Sequence, residues 1–542
     1  MRELPFAITL DVGSSLANKT GSWRVERPVY VDRLPPCNHG CPAGEDIQGW
    51  LYRAEEGDTE GAWRRIMEAN PLPGVMGRAC FHPCETACNR AQVDEAVGIN
   101  GIERFLGDRA LEEGWTVPVT APPSGRRVLV VGSGPAGLSA AYHLRLAGHA
   151  VEIRDAAELP GGMLRYGIPA YRLPRDVVDA EVARIVAMGV TLVTGSPVAD
   201  AARAMAEGGF DAVFVGVGAQ RGRQAEIPAG DAGRVVDAVS LLHGLEDGRP
   251  PTLGRTVVVY GGGDTAMDAA RTAGRLGATE TVVVYRRNRD RMPAHDEEVE
   301  DALAEGVRMR WLSTVQRVEG GHLVVERMEL GDDGFPRPTG ELEELAADSL
   351  VLALGQDADL ALLDGMAGVR TDGGVVAVDP DQMTGQPGVF AGGDVVGGER
   401  TITAAVGEGR RAAGAIDAYL DRRAPERPAD RPLATADRLN TWYYEDAPPS
   451  IRPRLDAARR RTTFDEVVGG LDAEEALFEA RRCLSCGNCF ECDNCFGVCP
   501  DNAVIKLGPG KRYEIDLDFC KGCGICVEEC PCGAIDLVPE PR

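Results

Sequence analysis

The sequence of 542 residues lacks both an excess of positive charge and any long apolar run. Its formal net charge is −26, which counts against a general nucleic-acid binder because such proteins present a basic face. No run of about 18 uncharged apolar residues occurs, so no transmembrane helix is expected. The N-terminal stretch MRELPFAITLDVG has no positively charged flank before an apolar core, so no secretory signal is expected. These absences predict a soluble, cytoplasmic protein with neither nucleic-acid nor membrane partners.

Cysteine is missing from the whole middle of the chain. Of sixteen cysteines, five lie from Cys37 to Cys88, eleven lie from Cys483 to Cys532, and none lies between these groups. Disulfide frameworks are typical of small secreted domains, whereas C-x2-C groups in a cytosolic chain indicate metal binding. We therefore expect metal sites built from both ends of the chain.

A strand, a glycine-rich turn and a helix are predicted at the start of RRVLVVGSGPAGLSAAYHLRLAGHAVEIRD, residues 126–155. Gly132, Gly134 and Gly137 form G-x-G-x-x-G, in which the glycines allow the tight turn, the approach of a pyrophosphate and helix packing, respectively. The helix N-terminus offers free N–H groups to phosphate. Asp155 ends the second strand, where a carboxylate can accept hydrogen bonds from ribose hydroxyls. This unit predicts a dinucleotide site.

A second unit of the same kind lies at 255–287, RTVVVYGGGDTAMDAARTAGRLGATETVVVYRR. Gly261, Gly263 and Ala266 give the variant G-x-G-x-x-A. The second strand ends in Arg286 and Arg287 instead of an acid. Arginines pair with a ribose 2′-phosphate that an acid would repel, so NADP(H) is favoured over NAD(H). The alternative is a solvated basic loop.

Two dinucleotide units, one nested inside the other, predict an α/β flavoprotein reductase with Rossmann-like domains. Later in the chain, AGGDVV places Gly393 and Asp394 between a strand and a helix. This element resembles the second FAD motif of flavoproteins with two dinucleotide-binding domains, in which the aspartate holds the ribityl chain. By that resemblance the first unit binds FAD and the second binds NADPH. Disulfide reductases of this architecture have a redox-active cysteine pair beside the flavin, and the cysteine-free middle excludes one here.

The C-terminal cysteines repeat the spacing C-x2-C-x2-C-x3-C-P, in which the fourth cysteine ligates the other 4Fe–4S cluster. The first ferredoxin set is therefore Cys489, Cys492, Cys495 and Cys530. The second ferredoxin set is Cys520, Cys523, Cys526 and Cys499. Zinc is the alternative, and it is disfavoured because closely spaced triplets followed by Cys-Pro suit a cubane cluster.

The N-terminal cysteines occur in PPCNHGCPAG and GRACFHPCETAC. With GGMLRYGIPAYRLP (161–174) and VVVYRRNRDRMPAHDEE (282–298), they make residues 30–425 similar to the small subunit of NADPH-dependent glutamate synthase. The same region resembles the matching part of dihydropyrimidine dehydrogenase and the flavoprotein subunit of NADH-dependent ferredoxin:NADP oxidoreductase. The resemblance implies two 4Fe–4S clusters in an N-terminal helical domain, and Gly162 as a further flavin-binding position.

By that resemblance, one N-terminal cluster is ligated by residues that we call the N-terminal set: Cys41, Cys80, Cys84 and Glu103. The glutamate stands where the family has Glu or Gln. An ordinary acid on a helix surface is the alternative for Glu103.

The other N-terminal cluster of the family uses an R-C-x2-C pair that precedes the position of Cys37, and this chain has no cysteine there. The spare pair in EARRCLSCG looks like the missing element. We therefore predict a bridging set that joins the two ends of the chain: Cys37, Cys88, Cys483 and Cys486. The alternative is that these thiols are free or bind zinc. Only Cys532 then remains unassigned.

These motifs predict five segments. They are a helical iron–sulfur domain (1–124), an FAD-binding domain (125–250 and 346–425), an inserted NAD(P)H-binding domain (251–345), a linker (426–474) and an α+β ferredoxin domain (475–542). Since a single core does not extend over 542 residues, several domains are expected on length alone.

The expected function is an electron-transfer flavoprotein subunit linking NAD(P)H, through FAD and four 4Fe–4S clusters, to a low-potential acceptor. A ferredoxin or a larger enzyme such as a 2-oxoacid:ferredoxin oxidoreductase is the expected partner, in a hetero-oligomeric complex. Alternatives are a glutamate synthase small subunit proper, a flavin-based electron-bifurcating subunit, and an iron–sulfur scaffold with a vestigial flavin site. No catalytic side chain is predicted, because the cofactors themselves supply hydride and electron transfer.

Overall fold

The computed structural model describes residues 19–223, 227, 234–319, 321–427 and 429–541. The stretch MRELPFAITLDVG, for which no secretory signal is expected, lies outside the described residues. In the described part of the chain, no helix is both long enough and apolar enough to span a membrane.

The N-terminal region is a helical unit built around Trp50 and Trp63, which are both fully buried. Its elements are β1 (Glu26–Tyr30), α1 (Pro36–Gly40), α2 (Ile47–Glu55), α3 (Thr59–Met67), α4 (Pro73–Ala79), α5 (Pro83–Thr86) and α6 (Ile99–Glu112). Helices α4 and α6 pack closely, since a Cβ at Gly107 would lie 2.5 Å from a backbone atom of α4. This contact places Cys80, just after α4, near Glu103 on α6.

The middle of the chain alternates strands and helices. Its elements up to residue 310 are β2 (Arg127–Val131), α7 (Pro135–Leu146), β3 (Ala150–Arg154), α8 (Met163–Tyr166), α9 (Arg175–Ala187), β4 (Thr191–Val193), α10 (Ala201–Gly208), β5 (Ala212–Val215), β6 (Arg221–Gly222), β7 (Arg234–Asp237), α11 (Ala238–Glu246), β8 (Thr256–Gly261), α12 (Asp264–Arg275), β9 (Glu280–Val284), α13 (Asp296–Ala304) and β10 (Arg308–Arg310). The next elements are β11 (Ser313–Glu319), β12 (His322–Leu330), β13 (Pro336–Ala346), β14 (Ser349–Ala353), β15 (Gln356–Asp357), β16 (Thr371–Asp372), β17 (Val375–Val376), β18 (Val389–Ala391) and α14 (Ile402–Leu420).

Two parallel sheets organise this region. The first has the strand order β18-β5-β2-β3-β4 and the second has the order β10-β9-β8-β14-β7. Their central strands are buried runs of valine, leucine and isoleucine, as expected for parallel sheets covered on both faces. The glycine turns follow β2 and β8 at the carboxyl edges, where open α/β sheets bind ligands. The predicted α/β class with two Rossmann-like units is confirmed.

The sheet that contains strands β7 and β14 is not the one that the expected domain boundaries imply. Both pair within the second sheet, whereas the expected boundaries place residues 234–250 and 346–353 in the FAD-binding domain. An apolar strand such as SLVLA suits the interior of either parallel sheet. The sequence pattern therefore does not determine which sheet it joins.

The C-terminal region adds short elements and receives a strand from the N-terminus. It contains α15 (Ala457–Arg460), α16 (Ala473–Arg481), α17 (Asn494–Val498), β19 (Val504–Lys506), β20 (Tyr513–Ile515), α18 (Ile525–Glu528) and β21 (Ile535–Pro539). Strand β19 pairs with β20, and β21 pairs antiparallel with β1, with Glu26 opposite Pro539. The N-terminal strand is therefore part of the ferredoxin region.

The segment expected as a linker, 426–474, forms ion pairs with the helical unit and with the second dinucleotide unit. The Glu466 carboxylate accepts hydrogen bonds from Arg78 (2.8 Å) and Arg104 (2.9 Å) of the helical unit. Arg454 pairs with Asp301 on α13 of the second dinucleotide unit. A Pro- and Arg-rich sequence is typical of a linker, but this segment is held by charged side chains and by buried apolar ones such as Val467 and Leu471.

Candidate cofactor cleft and iron–sulfur sites

The first glycine turn, between β2 and α7, leaves its backbone open to a ligand. Gly132 has a φ of +102°, and a Cβ there would lie 2.4 Å from the Gly216 carbonyl oxygen. A Cβ on Gly137 would lie 2.0 Å from the Gly132 carbonyl oxygen. A Cβ on Gly134 would meet no described atom within 4 Å. This arrangement fits a pyrophosphate at the N-terminus of α7.

Asp155 and Gly162 are packed against the same turn and line the cleft beside it. The Asp155 carboxylate accepts hydrogen bonds from the amides of Ser133 (2.6 Å) and Ala157 (2.8 Å). Gly162 has a φ of +53°, and a Cβ there would lie 2.9 Å from the Cα of Gly134. Only glycine therefore fits at position 162 without moving the turn.

Gly393 and Asp394 lie between β18 and α14 and also line the cleft. The Gly393 amide donates a hydrogen bond to the Glu408 carboxylate (2.6 Å). Burial raises the pKa of Asp394, and Arg400 opposes that rise. Within the described residues, the Asp394 carboxylate accepts no hydrogen bond, which fits a ligand that brings hydroxyl donors.

The two dinucleotide units share one cleft with a volume of about 980 Å³. The first unit contributes the residues just described, and the start of α12 contributes Asp264, Thr265 and Asp268. The Asp264 carboxylate is held by the ring Nδ1 of His295 at 3.0 Å. A cleft of this size at the switch between two parallel sheets is typical of a flavin and nicotinamide site.

The second glycine turn, between β8 and α12, is built like the first. A Cβ on Gly261 would lie 2.2 Å from the Ala353 carbonyl oxygen, whereas a Cβ on Gly263 would meet no described atom within 4 Å. Ala266 is fully buried and packs α12 against its sheet. The open backbone at Gly263 fits a second pyrophosphate.

Arg286 and Arg287 follow β9 and are not among the residues that line the shared cleft. Arg286 is exposed, and its guanidinium has no ion-pair partner among the described residues. The Arg287 guanidinium lies 5.7 Å from the Phe335 ring, and its buried Nε lacks a described hydrogen-bond partner. In contrast, Arg289 contacts Glu300 at 3.3 Å. Free guanidinium donors at this strand end fit a ribose 2′-phosphate.

The N-terminal set lines a small cavity next to the cleft. Thr403 on α14 donates its hydroxyl to Cys80 Sγ at 3.0 Å, and the neighbours of Cys80, Ala79 and Phe81, line the cleft itself. Burial, followed by the charge of Glu103, raises the pKa of Cys80 to about 12. A cationic group must therefore be bound before this thiol becomes a thiolate at neutral pH.

Glu103 is buried on α6, so the alternative of a helix-surface acid is wrong. Asn70 donates hydrogen bonds to both Glu103 (2.7 Å) and Glu45 (2.9 Å). Burial, followed by the charge of Glu45, raises the pKa of Glu103 well above its usual value. Glu45 lines the same cavity, and burial raises its pKa to about 7. Sequence reasoning missed this second carboxylate.

The bridging set lines another small cavity. Two of its cysteines come from each end of the chain. Burial, followed by the charges of the other three cysteines of the set, raises the pKa of Cys37. Arg482 is 2% exposed and donates to the Ala96 carbonyl oxygen at 2.9 Å, which holds the end of α16 on the helical unit. Ile99 lines this cavity and that of the N-terminal set.

The ferredoxin cysteines separate into the two crossed sets. The second set, including Cys499, lines a small cavity. In the first set, burial and then the charges of Cys489, Cys492 and Cys530 raise the pKa of Cys495 to about 11. Across the described ranges, no three His, Cys, Asp or Glu side chains converge at the spacing of a single-ion site. The thiols instead line shared cavities in sets that match the expected 4Fe–4S ligand groups.

Some side chains at these sites have no local sequence signal. Phe81 stacks on His295 with 3.4 Å between ring centroids and joins the helical unit to the second dinucleotide unit. The Tyr30 hydroxyl lies 3.3 Å from Cys495 Sγ, 465 residues away in the chain. Such contacts depend on how distant segments pack, so no residue spacing indicates them.

Three family models match the chain. The model for pyridine nucleotide-disulphide oxidoreductases matches residues 126–409, which is more than half of the chain. Residues 26–115 match the 4Fe-4S cluster domain II of dihydropyrimidine dehydrogenase, and residues 513–536 match a 4Fe-4S binding domain.

Several known proteins are similar over most of the chain. The chain is 38% identical over 503 residues to the beta subunit of NADP(+)-dependent formate dehydrogenase of Moorella thermoacetica, covering 83% of this chain and 70% of that protein. It is 32% identical over 529 residues to the NADPH-Fe(3+) oxidoreductase subunit beta of Geobacter sulfurreducens, covering 85% and 77%. It is 34% identical over 433 residues to the glutamate synthase [NADPH] small chain of Azospirillum brasilense, covering 74% and 89%.

These matches confirm the resemblance identified from the glycine and cysteine motifs. They cover both dinucleotide units, the N-terminal cysteines and residues 513–536 of the C-terminal cysteine region. The chain therefore belongs to the pyridine nucleotide-disulphide oxidoreductase family, as an NAD(P)H-dependent FAD oxidoreductase with 4Fe–4S domains at both ends.

Proposed function

We propose that the chain is an electron-transfer subunit that moves electrons between NADP(H) and a low-potential iron–sulfur acceptor. FAD would lie in the first dinucleotide unit, NADP(H) in the second, and four 4Fe–4S clusters in the four ligand sets. The observation that carries this proposal is the continuous succession of sites from the shared cleft to the molecular surface.

Most neighbouring sites in that succession share a lining residue or are joined by a hydrogen bond. The N-terminal set adjoins the cleft at Cys80, and Ile99 lies between its cavity and that of the bridging set. Gly487, which follows the bridging set, donates its amide to the Cys532 carbonyl oxygen (2.6 Å) beside the first ferredoxin set. Each ferredoxin set includes one exposed cysteine, Cys492 in the first and Cys523 in the second. This order supports a relay that ends on the ferredoxin surface.

The chain's own residues would bind and orient the cofactors. Gly134 and the start of α7 would hold the FAD pyrophosphate, while Asp155 and Asp394 would orient ribose and ribityl hydroxyls. Arg286 and Arg287 would select the 2′-phosphate of NADP(H). Bound flavin supplies the conversion of a two-electron hydride donor into single electrons.

The N-terminal set would differ from the other three in its ligand charge and hardness. Three thiolates and the Glu103 carboxylate would hold its cluster. Ligand type and hydrogen bonding to the ligands shift cluster reduction potentials. The hydrogen bond from Thr403 to Cys80 would add to that effect from the flavin side.

A redox partner would exchange electrons at the ferredoxin surface, where Cys492 and Cys523 are exposed. The Moorella and Geobacter relatives are named as beta subunits, which supports a chain that works inside a larger complex. We propose a ferredoxin or an enzyme such as a 2-oxoacid:ferredoxin oxidoreductase as that partner.

The proposal is tested with anaerobically reconstituted full-length chain. NADPH should bleach the flavin absorbance, and reduced 4Fe–4S signals should follow in the EPR spectrum, with about 16 iron atoms per chain from four clusters. Added ferredoxin should then be reduced by NADPH alone. Flavin reduction without any cluster signal would contradict the relay, and a requirement for a second, high-potential acceptor would instead indicate bifurcation.

A further inference from the structure

The two ferredoxin sets have the same backbone frame around one of their ligands. Cys499 Sγ accepts a hydrogen bond from the Ala503 amide (3.2 Å), and Cys530 Sγ accepts one from the Ala534 amide (3.4 Å). Both contacts lie in the repeat Cys-Pro-x-x-Ala, which reads CPDNA at 499–503 and CPCGA at 530–534. A difference in side chains within this repeat therefore distinguishes two otherwise similar cluster environments.

The third position of the repeat differs in charge. Cys532 is 2% exposed, and its Sγ lies 3.8 Å from Cys530 Sγ. Asp501 is 9% exposed, lines the cavity of the second set and lies 3.4 Å from Lys521 Nζ. A thiol can donate its S–H to a ligand thiolate, whereas an ionised carboxylate has no proton to donate and adds negative charge.

A second side-chain donor reaches the first set from the other end of the chain. Tyr30 ends β1, and its hydroxyl lies 3.3 Å from Cys495 Sγ. A cysteine that ligates iron is a thiolate, so the hydroxyl must be the donor in this pair. The pairing of β1 with β21 and the stacking of Tyr30 on Tyr513, with ring centroids 6.3 Å apart, hold the ring in place.

We propose that Tyr30 and Cys532 raise the reduction potential of the cluster in the first ferredoxin set, and that Asp501 lowers the potential of the cluster in the second. Reduction adds one electron, and donors to cluster sulfurs stabilise that added charge. The Asp501 carboxylate opposes it, since like charges repel more strongly away from water. Lys521, which lines the same cavity, offsets part of that effect. The cluster of the second set is therefore the stronger reductant of the pair. This inference rests on the cluster ligation proposed above.

The test is an EPR-monitored redox titration of reconstituted full-length chain with dithionite. Tyr30→Phe and Cys532→Ala should each move the same midpoint potential to a more negative value. Asp501→Asn should move a different midpoint to a more positive value. Tyr513→Phe is the matched control, because it removes a hydroxyl that donates to Asp493 (2.6 Å) from the ring stacked on Tyr30, and should move neither midpoint.

Unchanged midpoints in both Tyr30→Phe and Cys532→Ala, or a shift of the same couple by Asp501→Asn, would overturn the inference. If Tyr30→Phe fails to retain its clusters, the Cys532→Ala titration decides the outcome. The midpoint that it shifts is then compared with the one that Asp501→Asn shifts. Dithionite reduces clusters without nucleotide, so this titration remains informative even if NADPH fails to reduce the chain. A failure here is thus distinguishable from a failure of the proposed function.

Discussion

Thr403 and Cys80 are 323 residues apart in the sequence and are joined by a hydrogen bond of 3.0 Å. Thr403 belongs to the helix that follows the Asp394 turn, and Cys80 belongs to the N-terminal set. The bond therefore connects the wall of the flavin cleft directly to a candidate cluster ligand.

Replacing Thr403 with valine keeps the shape and removes the hydroxyl. Because hydrogen bonds to ligand sulfur raise cluster potentials, Thr403→Val should lower the potential of the N-terminal cluster and leave it less reduced at a fixed NADPH/NADP+ ratio. EPR spectra at a poised ratio measure this. Thr384→Val, which removes a hydroxyl bonded to the Val389 carbonyl oxygen, should leave the spectra unchanged, and equal effects of the two variants would contradict the role of Thr403.

Serine at both Cys483 and Cys486 should remove one cluster and leave the others. Iron and acid-labile sulfide should fall from about four to about three clusters per chain, since each 4Fe–4S group needs its four protein ligands. Cys532→Ser is the control and should retain about four. A double variant with unchanged iron content would show that the bridging set holds no cluster.

Arg286→Ala should weaken the binding of NADPH and not of NADH. Loss of a charge-assisted contact to a phosphate costs roughly 1.5–3 kcal/mol, so KM for NADPH should rise by about 10- to 100-fold with little change in kcat. Arg289→Ala, whose guanidinium contacts Glu300 and Asp296, is the control. Equal rises in KM for both nucleotides would contradict selection of the 2′-phosphate.

Glu466→Gln should destabilise the contact between the 426–474 segment and the helical unit. The side chains of Arg78 and Arg104 are 6% and 5% exposed. Both keep Asp108 as a partner, so losing the charged acceptor costs roughly 1.5–3 kcal/mol. The apparent unfolding temperature should fall. Glu207→Gln, in an exposed pair with Arg203, should leave it nearly unchanged, and equal unfolding temperatures for both variants would show that the segment is not structurally coupled.

His143 should make the chain sensitive to acid. Burial lowers the pKa of His143 to about 3, and its ring lies 3.3 Å from the Ala69 carbonyl oxygen. The unfolded chain therefore binds a proton that the folded chain excludes between about pH 6.5 and pH 3, so stability falls as pH falls through that window.

At pH 5 this effect amounts to about 2 kcal/mol. His143→Gln, which cannot gain a proton, should lose less unfolding free energy between pH 7 and pH 5 than the wild type. His39→Gln changes an exposed histidine and should keep the wild-type pH dependence. Identical pH profiles for His143→Gln and wild type would refute this assignment.

Sequence reasoning succeeds where the geometry depends on local spacing. The glycine turns and the ferredoxin repeats have their determinants within one strand–turn–helix unit or one short run of cysteines. The prediction of the bridging set depended on more than local spacing. It required recognising, near the C-terminus, a cysteine pair that the family has near the N-terminus. The structure then brings Cys37 and Cys483 to one cavity.

The remaining features depend on packing between distant segments. Phe81 meets His295 only because the helical unit and the second dinucleotide unit are in contact. Glu45 has no motif, and its position beside Glu103 follows from the fold of the helical unit. The 426–474 segment looks flexible from its composition because the acidic and basic partners that hold it are encoded elsewhere.

The antiparallel pairing of β1 with β21 limits how far the ferredoxin region can move. The ferredoxin region is attached at its start through the bridging set and at its end through the N-terminal strand. An electron carrier anchored at both ends cannot swing between donor and acceptor on a tether, so the acceptor must come to it. A cut after Arg423 would accordingly leave two fragments that still migrate as one particle.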